Sequence, residues 1–412
     1  MKNMKLFFWG IFFLLFTPIS LLAQGFQVNL QGQKQSAMAG GGAALILDES
    51  TIFFNPGAMS FVDHNAVSGG INPLWFKSAF NQSGSNIVEH VENHIATPLA
   101  VYGLWGPTQS KWKVGLGVYT PFGGLVDWGN NWSGKYTVTS LNLKAIYIQP
   151  TFSYQLTENL GVGAGFVYNH GEVDLQRALP INHSDGTDAS AQLTGTGAGY
   201  GWNAGIYYRM DNGFAISLVH RSKVITKLEN GDAIFNVPES VRSNFPVGNT
   251  FNAELPLPST TTLAFGYPIN ENTSLALDLS FVNWEVYKEL AFDYAENTPI
   301  LEDTRSERNY SNGGSAKLGV QHRLNPELII RAGAAYVLTP VEDGYVTPEA
   351  PDADRMILSA GFGYEINQNW ELNASFLYES IFERTQTNLE TGLSGTFKTH
   401  VYAPGISIGY KW

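Results

Sequence analysis

The chain has 412 residues, no cysteine, 43 glycines, 13% aromatic and 15% charged residues, and a formal charge of −12. The absence of cysteine excludes disulfides, thiolate chemistry, Cys-based zinc sites and a lipid-anchored N-terminal cysteine. The acidic balance argues against nucleic acid as a partner, and plentiful Gly and aromatics with little charge predict many short strands rather than helical domains.

Residues 1–23 read as a secretory signal peptide: Lys2 and Lys5 precede the apolar run Leu6 to Phe16, and "SLLAQG" offers cleavage after Ala23. The run is short for a spanning helix. Losing Lys2 and Lys5 leaves 22 of the 24 basic residues against 36 acidic ones, a charge of −14. The glycine-rich "MAGGGAALILDES" at 38–50 lacks the Gly-Lys-Ser/Thr ending of a phosphate loop and follows no strand. Closely packed backbone is the better reading. "DESTIFFNPGAM" at 48–59 then sets Phe53 and Phe54 before an Asn-Pro-Gly turn.

From residue 64 onward, period-two alternation predicts fourteen strands. The first seven are placed near 64–76, 97–107, 112–121, 138–156, 159–179, 190–211 and 213–227. The other seven fall near 257–269, 272–295, 311–324, 327–341, 354–366, 369–384 and 397–412. Turns after even-numbered strands are tight, as in "TQSK", "LTEN", "MDNG" and "INQN", whereas those after odd-numbered strands are long. A soluble sandwich has no reason to sort loops by parity, but an outer-membrane barrel has short periplasmic turns and long extracellular loops. Within the strands one parity is apolar: Leu318 and Val320 alternate with Lys317 and Gly319, and Met356, Leu358 and Phe362 alternate with Arg355, Ser359 and Gly361. This predicts a lipid face and a lumen face. The fold class is therefore all-β, a transmembrane 14-stranded antiparallel barrel in the bacterial outer membrane, surrounded by its lipid and lipopolysaccharide. The terminal "ISIGYKW" ends in Trp412 and resembles the signal read by the barrel-assembly machinery.

Few residues suggest chemistry, and no enzyme activity, cofactor or metal is expected. His90 and His94, flanked by Glu89 and Glu92, have helical metal spacing but no third ligand, so a solvated loop is preferred. "HSDGTDAS" at 183–190 lacks the closing Glu of a calcium loop. His220 and Ser222 are the one nearby His–Ser pair, but they share the lipid parity and lack a third member. The lumen parity instead collects Lys144, Arg209, Arg221, Lys317, Arg323, Arg331 and Arg355 against Asp278, Glu371 and Glu379. These cations suit either an acidic head group or the anchoring of a plug.

Residues 25–62, with Gly-Phe-Gln near the mature start, the small-residue run and Phe-x-Asn-Pro-Gly, resemble the N-terminal hatch of the FadL/OmpP1/TodX family of outer-membrane transporters for long-chain fatty acids and other hydrophobic compounds. "YTPFGG" at 119, "NWSGKY" at 131, "YIQPTFSYQLTENLGVGAGF" at 147 and "PDADRMILSAGFGYEINQNWELNASF" at 351 extend the resemblance over the mature chain. Gly57, Gln149 and Lys135 depart from the usual Ala, Asn and Arg. The resemblance implies a monomeric barrel over 64–412 plugged by a hatch over 24–63. Ligand is captured at extracellular loops, passed to a pocket beside the hatch and released laterally at a kink in the third strand. On matching positions, Asn55, Pro56 and Gly57 become a gate motif, and Gly115 and Gly117 permit the kink. Phe26, Leu30, Phe53, Phe54 and Met59 form the expected pocket, with Lys317, Arg331 and Arg355 as lumenal cations. The alternatives are uptake of neutral aromatic or alkane hydrocarbons, and a structural or adhesive barrel.

Overall fold

The structure, a computed structural model, describes residues 25–412. The expected signal peptide lies outside the described residues. Strict alternation offers no helical face but two distinct sheet faces, and the runs pair into one antiparallel sheet. The first staves are β1 (Ala66–Ile71 and Leu74–Gln82), β2 (Val88–His90, Ile95–Ala96 and Leu99–Trp105), β3 (Trp112–Asp127) and β4 (Ser140–Gln155). There follow β5 (Leu160–Asn182), β6 (Asp188–Arg209), β7 (Ala215–Arg221 and Val224–Asn236), β8 (Thr250–Leu257 and Ser259–Asn270) and β9 (Thr273–Asn283, resumed at Glu289–Tyr294). The sheet is completed by β10 (Thr304–Glu307 and Gly313–Arg323), β11 (Leu328–Val337), β12 (Arg355–Glu365), β13 (Trp370–Thr387) and β14 (Ser394–Lys411). The last stave pairs with the first, Ala66 opposite Lys411 and Gln82 opposite Gly395. The fourteen-stranded closed antiparallel barrel expected from the alternation is the fold observed.

The two faces separate as the alternation requires. Leu318, Ile330, Met356, Leu358 and Phe362 are exposed on the outside, while Lys317, Arg331 and Arg355 on the opposite parity are only 8%, 5% and 5% exposed. Tyr200, Trp202 and Phe166 cluster outside on β5 and β6, and Trp105 packs beside Trp112 at the other end of β2 and β3. Such rings suit the two membrane interfaces. Several expected long loops are largely strand. The β5–β6 ladder runs from Leu160 opposite Tyr208 to Asn182 opposite Asp188, far beyond the 9–11 residues that cross a bilayer. This ladder ends beside a second apolar core of Leu193, Phe235, Phe245, Phe251, Phe292 and Tyr294.

Candidate functional site: the lumen and the seam between the second and third strands

Residues 25–62 lie within the wall and bond to it on several sides. The amides of Gly42 and Ala43 donate to the Asp278 carboxylate on β9 at 3.1 and 3.0 Å, a double contact that a φ of 114° at Gly42 permits. Ala39 N–H donates to Ser359 Oγ on β12 at 2.6 Å, and Ser375 Oγ on β13 donates to Gln33 Oε1 at 2.5 Å. Two short helices, α1 (Gln33–Ser36) and α2 (Thr51–Phe54), punctuate the segment.

The Asn55-Pro56-Gly57 step is a helix start rather than a hairpin-like turn. Asn55 is extended (φ −160°, ψ 100°), its side chain accepts from Gly57 N–H at 2.9 Å, and Pro56 opens a 3₁₀ helix, Pro56–Phe61. Gly57 is not in the left-handed region. Its role is clearance, because a Cβ there would lie 2.6 Å from the Gly205 carbonyl oxygen. The step therefore sits against Gly161 and Gly163 of β5 and Gly205 of β6. Asn55 Nδ2 completes the attachment by donating to Ser217 Oγ at 2.7 Å and to the Ile206 carbonyl at 3.2 Å.

The expected pocket is divided. Phe26 and Leu30 line a cavity of about 590 Å³, whereas Phe53 and Phe54 border a separate space of about 60 Å³ together with Arg221, Asp278 and Lys317. Met59 is fully buried, its sulfur 3.0 Å from where a Cβ on Gly115 would stand. Gly115 and Gly117 hold regular register opposite Thr151 and Gln149. They make room for Ile52, Met59 and Tyr102, and the irregularity of β3 falls later, between Tyr119 and Phe122. Thr120-Pro121 at that point is a bulge that proline inside a strand pattern signals.

Beyond that bulge β3 keeps β4 but has lost its neighbour on the β2 side. The β2–β3 ladder runs from Trp105 opposite Val114 only to Ala100 opposite Tyr119. The N-terminal segment takes the vacant place: Gln27 bridges Phe122, Val28 N–H donates to the Pro121 carbonyl at 2.8 Å, and Gly123 N–H donates to the Phe26 carbonyl at 3.1 Å. Directly behind this seam lies the 590 Å³ cavity, bordered by Thr97–Leu99 on one side and Gly123–Val126 on the other. Its lining is largely apolar, with Phe76, Leu143, Leu377, Ile381 and Val401, joined by the charged Lys144, Glu349, Asp352, Arg355 and Glu379. A narrower apolar space of about 80 Å³, with Leu228, Leu255, Leu290 and Phe292, shares Phe26, Gly124, Leu143 and Lys144 with it.

The lumenal cations are largely engaged. Arg355 is paired with Asp352 and with Glu379 at 2.7 Å, and reaches the Gly25 carbonyl at 3.5 Å. Lys317 lies 3.4 Å from both Asn29 Oδ1 and the Gly40 carbonyl. Arg221 donates to Tyr119 Oη (2.7 Å), Gln149 Oε1 (3.1 Å) and the Phe53 carbonyl (3.0 Å), with its guanidinium 4.1 Å from the Phe53 ring centroid. Arg331 donates to Gln321 at 3.3 Å, Arg323 donates to the Pro326 carbonyl at 2.9 Å, and Arg209 lies over the Phe61 ring. Lys144 lines both apolar spaces and is paired with Glu172 at 3.2 Å. His220 bonds Thr261 Oγ1 at 2.8 Å, while the Ser222 hydroxyl accepts from Trp202 N–H and donates to the Lys223 carbonyl, so this pair forms no dyad.

At the other mouth of the lumen, Lys34 bridges Glu371 (2.7 Å) and Asp48 (3.6 Å) beside Arg331 and Glu49. Burial, then the neighbouring Asp48 charge, pushes the Glu49 carboxyl up to about 7 from an ordinary 4.5. The docked state thus favours protonated Glu49; its contribution is fully present below about pH 4.5 and lost as pH rises to about 7. Amide exchange at Ile52 is expected to slow at least about tenfold from pH 8 to pH 5 after correction for intrinsic rates, and Glu49→Gln should flatten that dependence.

A closed fourteen-stranded barrel with an apolar outer band and aromatic ends is an outer-membrane barrel. The family model described as outer membrane protein transport protein (OMPP1/FadL/TodX) matches residues 15–412, and the chain belongs to that family. Among solved structures it is similar to a Pseudomonas aeruginosa FadL homologue (TM-score 0.81, 18% identity, 94% of this chain and 99% of that one). It is also similar to the P. putida toluene transporter TodX (TM-score 0.71, 16% identity, 92% and 97%). Among curated relatives, outer membrane protein P1 of Haemophilus influenzae is 22% identical over 90% of this chain and 91% of its own length. The long-chain fatty acid transport protein of Escherichia coli K12 is 20% identical over 86% and 87%.

Proposed function

We propose that the protein carries elongated hydrophobic molecules passively across the outer membrane and releases them sideways through the seam between β2 and β3. The observation that carries this reading is the largely apolar cavity behind the stretch where β3 is paired by the N-terminal segment instead of β2. Ligand gathers among the extracellular loops, enters past Leu255 and Phe292, and rests beside Phe26 and Leu30. Residues 24–63 act as the hatch, with Asn55, Pro56 and Gly57 fastening it to the wall. Transfer from water to an apolar cavity and then to lipid is favourable throughout, so no energy source is required. Trp412 serves recognition by the assembly machinery, and the barrel works as a monomer among lipid and lipopolysaccharide.

Long-chain fatty acids are one ligand class that fits. Neutral hydrocarbons are favoured by a specific observation: the cations on the cavities already face carboxylates, Arg355 against Asp352 and Glu379, Arg308 against Glu349 and Lys144 against Glu172. An added carboxylate would compete with these pairs. Gly124 tests the route, since a Cβ there meets nothing within 4 Å and the residue lines both spaces. Gly124→Trp is expected to reduce uptake of radiolabelled oleate and of an alkane at least about tenfold with normal barrel assembly, because a buried indole occupies much of the passage. Unchanged uptake of both in the assembled variant sinks the route. Selective loss of oleate uptake in Lys144→Gln identifies an acidic ligand, and equal uptake identifies an apolar one.

A further inference from the structure

We propose that Glu92, His94 and Asp127 form a site for a divalent transition-metal cation of the zinc type, clipping the interrupted part of β2 to the end of β3. The helical pairing of His90 with His94 does not occur, because Val88–His90 is strand paired to β1, His90 opposite Ala79. His94 instead turns to β3: its Nε2 lies 3.0 Å from Asp127 Oδ2 and 3.7 Å from Glu92 Oε2. The three ligand atoms lie within 4.8 Å of one another. Four-coordinate zinc, with bonds of about 2.0–2.1 Å, sets its ligands roughly 3.3 Å apart, inside that range.

Backbone geometry and charge both support the assignment. Glu92 N–H donates to the Asp127 carbonyl at 2.7 Å, which holds the two carboxylate-bearing residues side by side where the β2–β3 ladder is missing. Among the described residues neither carboxylate is paired with Lys or Arg, so two negative charges converge on one imidazole. A cation removes that repulsion. The mixed imidazole and carboxylate set selects zinc-like ions over calcium or magnesium, which take oxygen alone. The Glu92 side chain is 62% exposed, free to close on the ion and to leave a coordination position for water. His94 also borders the large cavity, so the metal stands on its rim.

The test is titration of the full mature chain in detergent with Zn²⁺ alone, by calorimetry, alongside Ca²⁺. One saturable zinc site is expected, weakened at least about tenfold in His94→Ala and in the isosteric Asp127→Asn, since a direct ligand should count for no less than an outer partner. His90→Ala, outside the cluster, leaves it unchanged. Zinc should also slow amide exchange at residues 92–94 in the parent and not in His94→Ala. Absence of saturable zinc binding, equal affinity in the parent and His94→Ala, or loss with His90→Ala overturns the site. Binding without slowed exchange overturns the clip.

Discussion

Gly163→Val is expected to detach the Asn55-Pro56-Gly57 step from the wall, so that limited proteolysis cuts the chain between residues 45 and 62 while the barrel persists. A Cβ at Gly163 would strike the Pro56 backbone, and backbone held between two strands cannot turn aside as a flexible side chain can. Overpacking of this kind costs about 1–3 kcal/mol when side chains can adjust, and here the clash is with main chain. The lost attachment includes Asn55 to Ser217 and Ile206, so the loss should be cooperative. Gly103, which faces open space, is the control: Gly103→Val should leave the proteolytic pattern unaltered. Resistance of residues 45–62 in Gly163→Val would show that the docking does not depend on this contact.

Arg221→Leu is expected to weaken docking of α2 by about 3 kcal/mol, the upper end of what hydrogen bonding to a buried charged group contributes. Arg221 is 8% exposed and its acceptors are neutral: the Phe53 carbonyl, Gln149 and Tyr119. Removing it takes one donor from each of three oxygens, leaving Gln149 Oε1 with the Tyr119 hydroxyl and the Phe53 carbonyl with Asn203 Nδ2 at 3.3 Å, and strips the cation from the face of Phe53. Exchange of the amides at residues 52–55 should accelerate about a hundredfold. Arg221→Lys should recover only part of this, because a single ammonium cannot reproduce the spread of guanidinium donors. If Arg221→Leu transports normally with unchanged exchange, the guanidinium is not an anchor.

Much of this was legible in the sequence because the relevant forces are local and periodic. Lipid on one side and lumen on the other imprint period two on every stave, and turn length reports the side of the membrane on which each turn lies. The inward direction of Lys317, Arg331 and Arg355 follows from that period alone. What they touch does not: Asp352 lies in a loop, Glu379 on another strand and Gly40 more than two hundred residues away, and sequence spacing carries no such distances. Pro121, at the end of the expected third strand, is the signal for the bulge, whereas the kink expected at Gly115 and Gly117 rests on glycine alone. Gly57 shows the same limit. Glycine suggests backbone freedom, but here it answers to a neighbouring carbonyl, which only the three-dimensional approach of β6 supplies.

The pairing of residues 26–28 with β3 turns one amide into a gauge. Any molecule leaving through the seam must part Gly123 N–H from the Phe26 carbonyl and Val28 N–H from the Pro121 carbonyl. On the proposed route an apolar traveller offers neither group a replacement, so a passage would leave polar backbone briefly unsatisfied and closing would be favoured at once. The exchange rate of the Gly123 amide, compared with that of Gly117 inside the intact ladder, therefore reports the fraction of time the seam stands open, without a substrate.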